Sequence, residues 1–326
     1  MPSPILSRRH VLGAAAGAAA ATLLPVPLPG VSRPSRVLAG PAVRRNIYHL
    51  ALSDADLEAY RTAVTVMQGR PDSDGRSWAA QAAIHGTWNP GNFPLSNRCV
   101  HNNWWFLPWH RAYLYYFERI VRQASGNPDF ALPYWNYSYA DQRRLPEAFR
   151  PASSPLRDGT RFPGWNTGAA ELDIGDIGYL TALGPTAYIT PPGGAPAGFG
   201  GSAVVAPSDG GFRGPIENSP HGDVHVSVGG NMGQFETAGL DPIFWLHHCN
   251  LDRLWNRWHQ FRGAPANPTT DTAWLNQTFQ FYDEAGAQVS LAVKDLLDTR
   301  ALGYIYDDDH CPPPRIISVC CRPRRE

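Results

Sequence analysis

The sequence predicts a mainly α-helical single domain carrying long irregular loops and a few short strands. Three observations predict it. Apolar residues recur at helical spacing in separate stretches bounded by start or stop signals. Residues 140–215 are rich in Gly, Pro, Ser and Asp and have only weak periodicity, which reads as long loops over a helical core. A chain of 326 residues, 43% of them hydrophobic, suffices for one large core. Charge is balanced at 28 basic and 28 acidic residues, so no polyanion or anionic membrane is implied as partner. Lys294 is the only lysine, which reads as the compositional bias of a GC-rich genome and carries no function.

Taken in order, residues 1–41 read as an export signal and linker. Ser7-Arg8-Arg9-His10-Val11-Leu12 and the Ala-rich run to Leu24 make a twin-arginine pattern, with cleavage expected near Leu38-Ala39-Gly40. The run from Val11 to Leu24 is too short to span a bilayer comfortably, which argues against an anchor. The expected product is a secreted protein, exported folded and therefore able to take up metal first. The domain proper is expected over 42–310, followed by a Cys/Pro/Arg-rich tail at 311–326.

Ser53-Asp54-Ala55-Asp56 is a polar start to Leu57, Tyr60, Val64 and Met67, so a capped helix runs to about Gly69. A second helix runs from Pro108, with Tyr113, Tyr116, Phe117, Ile120 and Val121 on one side, and stops by Ser125-Gly126-Asn127-Pro128. A short helix carries the PHGDVH segment at 220–225, because a four-residue spacing puts His221 and His225 on one face. Another helix is expected from about Pro242 to Gln260, and the last sixty residues read as a short cap with a few strands. The cysteines, at 99, 249, 311, 320 and 321, are odd in number; Cys311 can pair with Cys320 or Cys321, and the sequence does not choose.

Chemistry concentrates in the histidines. His85, HNNWWFLPWHR at 101–111, PHGDVH at 220–225 and DPIFWLHHCNLDRLW at 241–255 supply two groups of three imidazoles among aromatic and aliphatic residues. Neutral imidazole suits copper, zinc, iron and nickel. Two such sites close in space would hold a metal pair. The His221/His225 pair alone also suits zinc, but a zinc hydrolase would place a catalytic Glu between them, where Gly222 and Asp223 stand.

These motifs, in this order, resemble those of the type 3 copper family of tyrosinases, catechol oxidases and haemocyanins. The similarity extends from about Arg44 (VRRNIYHL) through LPYWNY at 132–137 to GYIY at 303–306, and reads more like the plant enzymes than the short streptomycete ones. With the export signal, it is identified as a bacterial secreted form. The resemblance implies a four-helix bundle around two copper ions. It assigns His85, His101 and His110 to one copper, and His221, His225 and His248 to the other. His248 is preferred to His247 because the ligand follows Asp241 by seven residues and precedes Asp252 by four. His247 is then a packing or supporting residue, and Asp241 or Asp252 is expected to orient a ligand ring. His49, His259 and His310 lie outside every motif.

The resemblance also singles out residues around the metals. Cys99 stands two before His101, as in fungal enzymes where the sulfur is bonded to the histidine ring; the alternatives here are that thioether and a free buried thiol. Glu217 matches an acidic residue that holds a water near the second copper and accepts a phenolic proton. Phe235, in an NMG-x-F context, matches a gate over one copper. Gly222 and Val226, each directly after a ligand histidine, line the expected substrate mouth, and Gly222 stands where some tyrosinases have Asn. The implied activity is oxidation of catechols to o-quinones with dioxygen, extending to monophenol hydroxylation, with melanin-like polymer as the visible product. The implied partners are dioxygen, small phenolic or catecholic substrates and a copper-delivery protein. Oxidation of o-aminophenols, peptide tailoring, and oxygen binding without turnover are the alternatives on the same scaffold. Only twenty residues follow Tyr306, too few for the domain that shields copper in the carriers, so an open oxidase is expected. Nothing supports nucleic-acid binding; Arg322 to Arg325 are too few and too terminal.

Overall fold

The computed structural model describes residues 40–262 and 267–309, with the backbone alone at 261 and 262. The expected export signal, His310 and the cysteines of the tail lie outside the described residues. Strand β1 (Ala42–Arg44) opens the described chain, and helix α1 (Ala55–Gln68) follows. Asp54 caps α1 by accepting the Asp56 N–H, and the Gly69 N–H donates back to Thr65 and Met67, as the polar start and the glycine predict. Helix α2 (Trp78–His85) is an element the sequence reading did not identify. Its start is marked by Ser77, whose side chain accepts the Ala80 N–H, and its eight residues are too few to display a periodicity.

Helix α3 (Phe106–Ser125) begins two residues before Pro108 and ends at Gly126, whose φ of 71° is the left-handed turn that glycine supplies. The region 140–215 contains only the short α4 (Tyr179–Ala182), two single helical turns and a parallel pair of two-residue strands, β2 (Ile189–Thr190) and β3 (Gly201–Ser202). The PHGDVH histidines sit on two joined pieces, a π-helical turn at Glu217–Gly222 and α5 (Asp223–Val228), where a single short helix was expected. Helix α6 (Ile243–Arg262) matches the last long helical expectation. Then come α7 (Thr272–Asn276), the antiparallel hairpin β4 (Thr278–Tyr282) and β5 (Gln288–Ala292), and β6 (Tyr304–Tyr306), which pairs in parallel with β1.

Helix α3 lies between α1 and α6. Trp245 of α6 stacks on Phe117 of α3 with ring centroids 3.4 Å apart, and Trp78 and Tyr113 close around the pair. The long loops are tied to the same helix. Arg161 reaches Asp241, at the head of α6, through two bonds of 2.8 and 2.6 Å, both side chains fully buried. It also donates to the carbonyls of Phe149 and Leu156. Phe199 stacks on Trp258 of α6 at 4.3 Å. A loop held by a buried bidentate pair and by stacked rings no longer needs regular secondary structure to stay ordered. No helix among the described residues is long and apolar enough to cross a membrane.

Candidate metal centre

Each element end delivers one or two imidazoles to a common interior. His85 is the last residue of α2, His110 lies in the second turn of α3, His248 in the second turn of α6, and His221 and His225 lie across the π turn and α5. His101 comes from the loop before α3. Ligand atoms of His85, Cys99, His101 and His110 lie within 4.8 Å of one another, as do those of His221, His225 and His248. The two groups abut: the rings of His110 and His248 stack with centroids 4.7 Å apart, and those of His101 and His221 are 5.4 Å apart.

Backbone carbonyls aim the rings. The Nδ1 atoms of His85, His110, His221, His225 and His248 lie 2.6–3.0 Å from the carbonyl oxygens of Phe235, Phe106, Glu217, Met232 and Phe244. A carbonyl only accepts, so Nδ1 carries the hydrogen and Nε2 is left with its lone pair. At His85, His221, His225 and His248 that Nε2 is buried with no partner among the described residues. Burial pushes every one of these imidazoles below its ordinary value, His110 to about 3 and His225 to about 4, so the rings stay neutral. Two abutting groups of three neutral imidazoles, with four orphaned Nε2 lone pairs and the Cys99 sulfur beside the Nε2 atoms of His101 and His110, fit a pair of borderline-soft metal ions. The expected carboxylate support is not seen. Asp252 pairs with Arg111 and Arg44, and Asp241 with Arg161, so neither touches a ligand ring. Asp252 is taken up by those arginines and the Tyr304 and Tyr306 hydroxyls, Asp241 by Arg161 and the Ile243 N–H, and the helix geometry puts carbonyls nearer the rings. His247 turns its Nδ1 to the Tyr137 hydroxyl at 3.1 Å and stacks beside His221, with centroids 5.9 Å apart.

The remaining singled-out residues surround a cavity of about 470 Å³ that opens onto the histidines. Glu217 is buried at its edge; one carboxyl oxygen accepts the Asn102 N–H at 2.6 Å and the other has no partner among the described residues. Burial pushes Glu217 up to about 7, against the opposing pull of the Asn102 N–H and the Arg213 charge. Asn102, with a left-handed φ of 62°, and Arg213, which donates to the Asn102 side chain, were missed by the sequence reading. The Asn102-Asn103 pair after His101 is a turn signal that marks the spot. Phe235 faces His85 and His101 at ring distances of 4.9 and 5.5 Å. Its own carbonyl reaches His85 because Gly86 has no Cβ, which would come within 2.5 Å of that oxygen. Gly222 and Val226 line the cavity, and a Cβ at Gly222 would meet only the Glu217 carbonyl at an ordinary 3.5 Å. The Cys99 sulfur lies 3.4 Å from the His110 Nε2 and 3.7 Å from the His101 Nε2. Burial and the Glu217 charge push its thiol up. Cys249 is buried elsewhere, against the Leu132 carbonyl.

The chain matches the family model described as the common central domain of tyrosinase over residues 75–189 and 201–261, and the polyphenol oxidase middle domain over 269–316. It is 37% identical over 297 residues to Tyrosinase HcTyr1 of Hahella sp. (strain CCB-MM4), covering 81% of this chain and 62% of that one. It is 35% identical to a chloroplastic polyphenol oxidase of Malus domestica, over 80% of this chain and 48% of that one. The chain thus spans less than two thirds of the length of these relatives. Among solved structures it is similar to latent apple tyrosinase, with TM-score 0.69 and 31% identity over 83% of this chain and 63% of that one. It is equally similar to Grenache (Vitis vinifera) polyphenol oxidase, with TM-score 0.69 and 31% identity over 82% and 85% of the two chains.

Proposed function

This chain belongs to the tyrosinase and polyphenol oxidase family of type 3 copper proteins, and from that premise we propose that it oxidises o-diphenols to o-quinones with dioxygen. The observation that carries the reading is the convergence of two abutting groups of three neutral imidazoles, four of which (His85, His221, His225 and His248) turn a buried Nε2 without a partner among the described residues into the site. His85, His101 and His110 would hold one copper, and His221, His225 and His248 the other. Copper bound there supplies the means to pass two electrons from a catechol to dioxygen.

The protein's own residues do the rest. The five carbonyls that accept from Nδ1 hold the rings in one tautomer and orientation. Phe235 presents an aromatic face over His85 and His101 against which a substrate ring stacks. Glu217 takes the phenolic proton, through its unpartnered oxygen, and releases it to solvent through the cavity mouth. Gly222 and Val226 leave that mouth wide. Monophenol hydroxylation follows from the same base, although Gly222 offers no amide to help hold a water beside Glu217. The Cys99 sulfur lies 3.7 Å from the His101 Nε2, and dioxygen with copper held at the site would supply the two-electron oxidation that a thioether to that ring requires, the thiol and ring hydrogens leaving as protons. A peptide spanning both would then be two hydrogens light, whereas a normal mass with an alkylatable thiol rules the bond out. The Arg8-Arg9 signal supports export of a folded 42–310 domain that has received copper from a delivery protein, with melanin-like polymer formed outside the cell.

The test is oxygen uptake by the copper-loaded protein with L-DOPA and with L-tyrosine, the metal-free protein as control. Copper-dependent uptake with L-DOPA is expected. A protein that binds copper fully and consumes no oxygen with either substrate contradicts the reading.

A further inference from the structure

Beside the metal cavity lies a second cavity of about 580 Å³, and the two share Val226, Gly233 and Gln234. Trp88 and Phe162 face it and are 66% and 54% exposed, and Val226 is 68% exposed where the cavities meet. A single exposed hydrophobe needs no explanation, but three around one concavity do. Among the described residues no charged side chain lines this cavity.

The surface is also built to stay in place. The Phe162 N–H donates to the Val228 carbonyl at 3.0 Å, and its ring lies flat against Gly229. A Cβ at Gly229 would sit 2.4 Å from that ring, and its φ of 68° suits glycine. Asn231, on the same wall, is fixed by bonds to Asp158 and Thr160, each of 2.8 Å. The volume is that of a small-ligand site, too small for a protein element, and it opens into the space where the catechol ring would lie. An uncharged, pre-formed cleft faced by two aromatic rings suits a flat apolar group joined to the reacting ring.

We propose that this cleft is a subsite for a second aromatic ring, so that the preferred substrates are o-diphenols bearing an aryl group on a short linker. The inference rests on the catechol-oxidising reading of the adjoining site. Trp88 and Phe162 hold the distant ring and take no part in electron or proton transfer, so their removal acts on KM and not on kcat.

The experiment compares 4-methylcatechol with 4-(2-phenylethyl)catechol as substrates of the copper-loaded protein and its Trp88→Ala and Phe162→Ala variants. Wild type is expected to favour the two-ring substrate in kcat/KM. Trp88→Ala should raise its KM by about tenfold at constant kcat, as loss of an aromatic contact predicts, and Trp88→Phe should recover most of the loss. The single-ring KM should not change. Calorimetry with redox-inert 4-(2-phenylethyl)benzoate against benzoate reads the same subsite without turnover. If the two-ring benzoate binds through Trp88 but no catechol is oxidised, the subsite stands and the oxidase reading falls. If neither two-ring compound is favoured, or Trp88→Ala shifts one-ring and two-ring compounds alike, the subsite is overturned.

Discussion

A carboxyl group with one oxygen on the Asn102 N–H and the other buried without a partner is poised between acid and base. Glu217, pushed up to about 7 by burial, is protonated at mildly acid pH and ionised above neutrality. As a base it must be ionised, so hydroxylation of a monophenol should rise with pH through about 7. Glu217→Gln should remove that rising limb and lower the monophenol rate by ~10²-fold, with a smaller effect on catechol oxidation. A pH–rate profile that Glu217→Gln leaves unchanged contradicts the assignment. At this scale the sequence was legible where a residue type carries its own chemistry. His85, His101, His221, His225, Cys99, Glu217 and Phe235 line one cavity, and His110 and His248 complete the two imidazole groups behind it. Asn102 and Arg213 escaped because their role lies in a left-handed turn and a through-space bond, which no spacing encodes.

Among elements, α1, α3 and α6 were readable because each is long, periodic and bounded by a cap, a glycine or a proline. The eight residues of α2 hold four alanines and too few turns for a period, so only Ser77 announced it. The loops from 140 to 215 were read as irregular, but what fixes them is tertiary. Arg161 joins them to Asp241 in a pair from which water is excluded on both sides. Removing one partner leaves a buried charge unpaired, so Arg161→Ala should cost about 3–5 kcal/mol in urea unfolding. Because Asp241 leads into the helix that carries His248, copper affinity should fall as well. A variant that keeps wild-type stability would show that the loops are held by their stacked rings alone.

For the whole molecule, the strand pair β1–β6 and the buried charges beneath it clasp the described chain near both its ends. Arg44 meets Glu118 at 2.9 Å, and Asp252 accepts from Arg111, Arg44, Tyr304 and Tyr306. Burial opposes ionisation of Asp252, but Arg111, Arg44 and the two tyrosine hydroxyls more than offset it and hold the group below its usual 3.8. A depressed pKa contributes stability that is present above about 3.8 and lost as pH falls through the lower folded value. Asp252→Asn should therefore destabilise by about 3–5 kcal/mol at neutral pH. Its difference from wild type should shrink only in strong acid, as read by denaturant melts across pH. The pairing within this network was not legible, because its partners lie as far apart as residues 44 and 306. The motifs that hold Arg44, Tyr304 and Tyr306, VRRNIYHL and GYIY, were visible as a resemblance without a physical reason; the network supplies one. The central claim is that six named histidines hold the copper pair, with His248 and not its neighbour completing the second group. Copper content of the purified holoprotein tests it most directly, measured on wild type, His247→Ala and His248→Ala. The account predicts two copper ions in wild type, both retained in His247→Ala, and loss of one in His248→Ala. A His248→Ala protein that keeps both ions, or a His247→Ala protein that alone loses one, would contradict it.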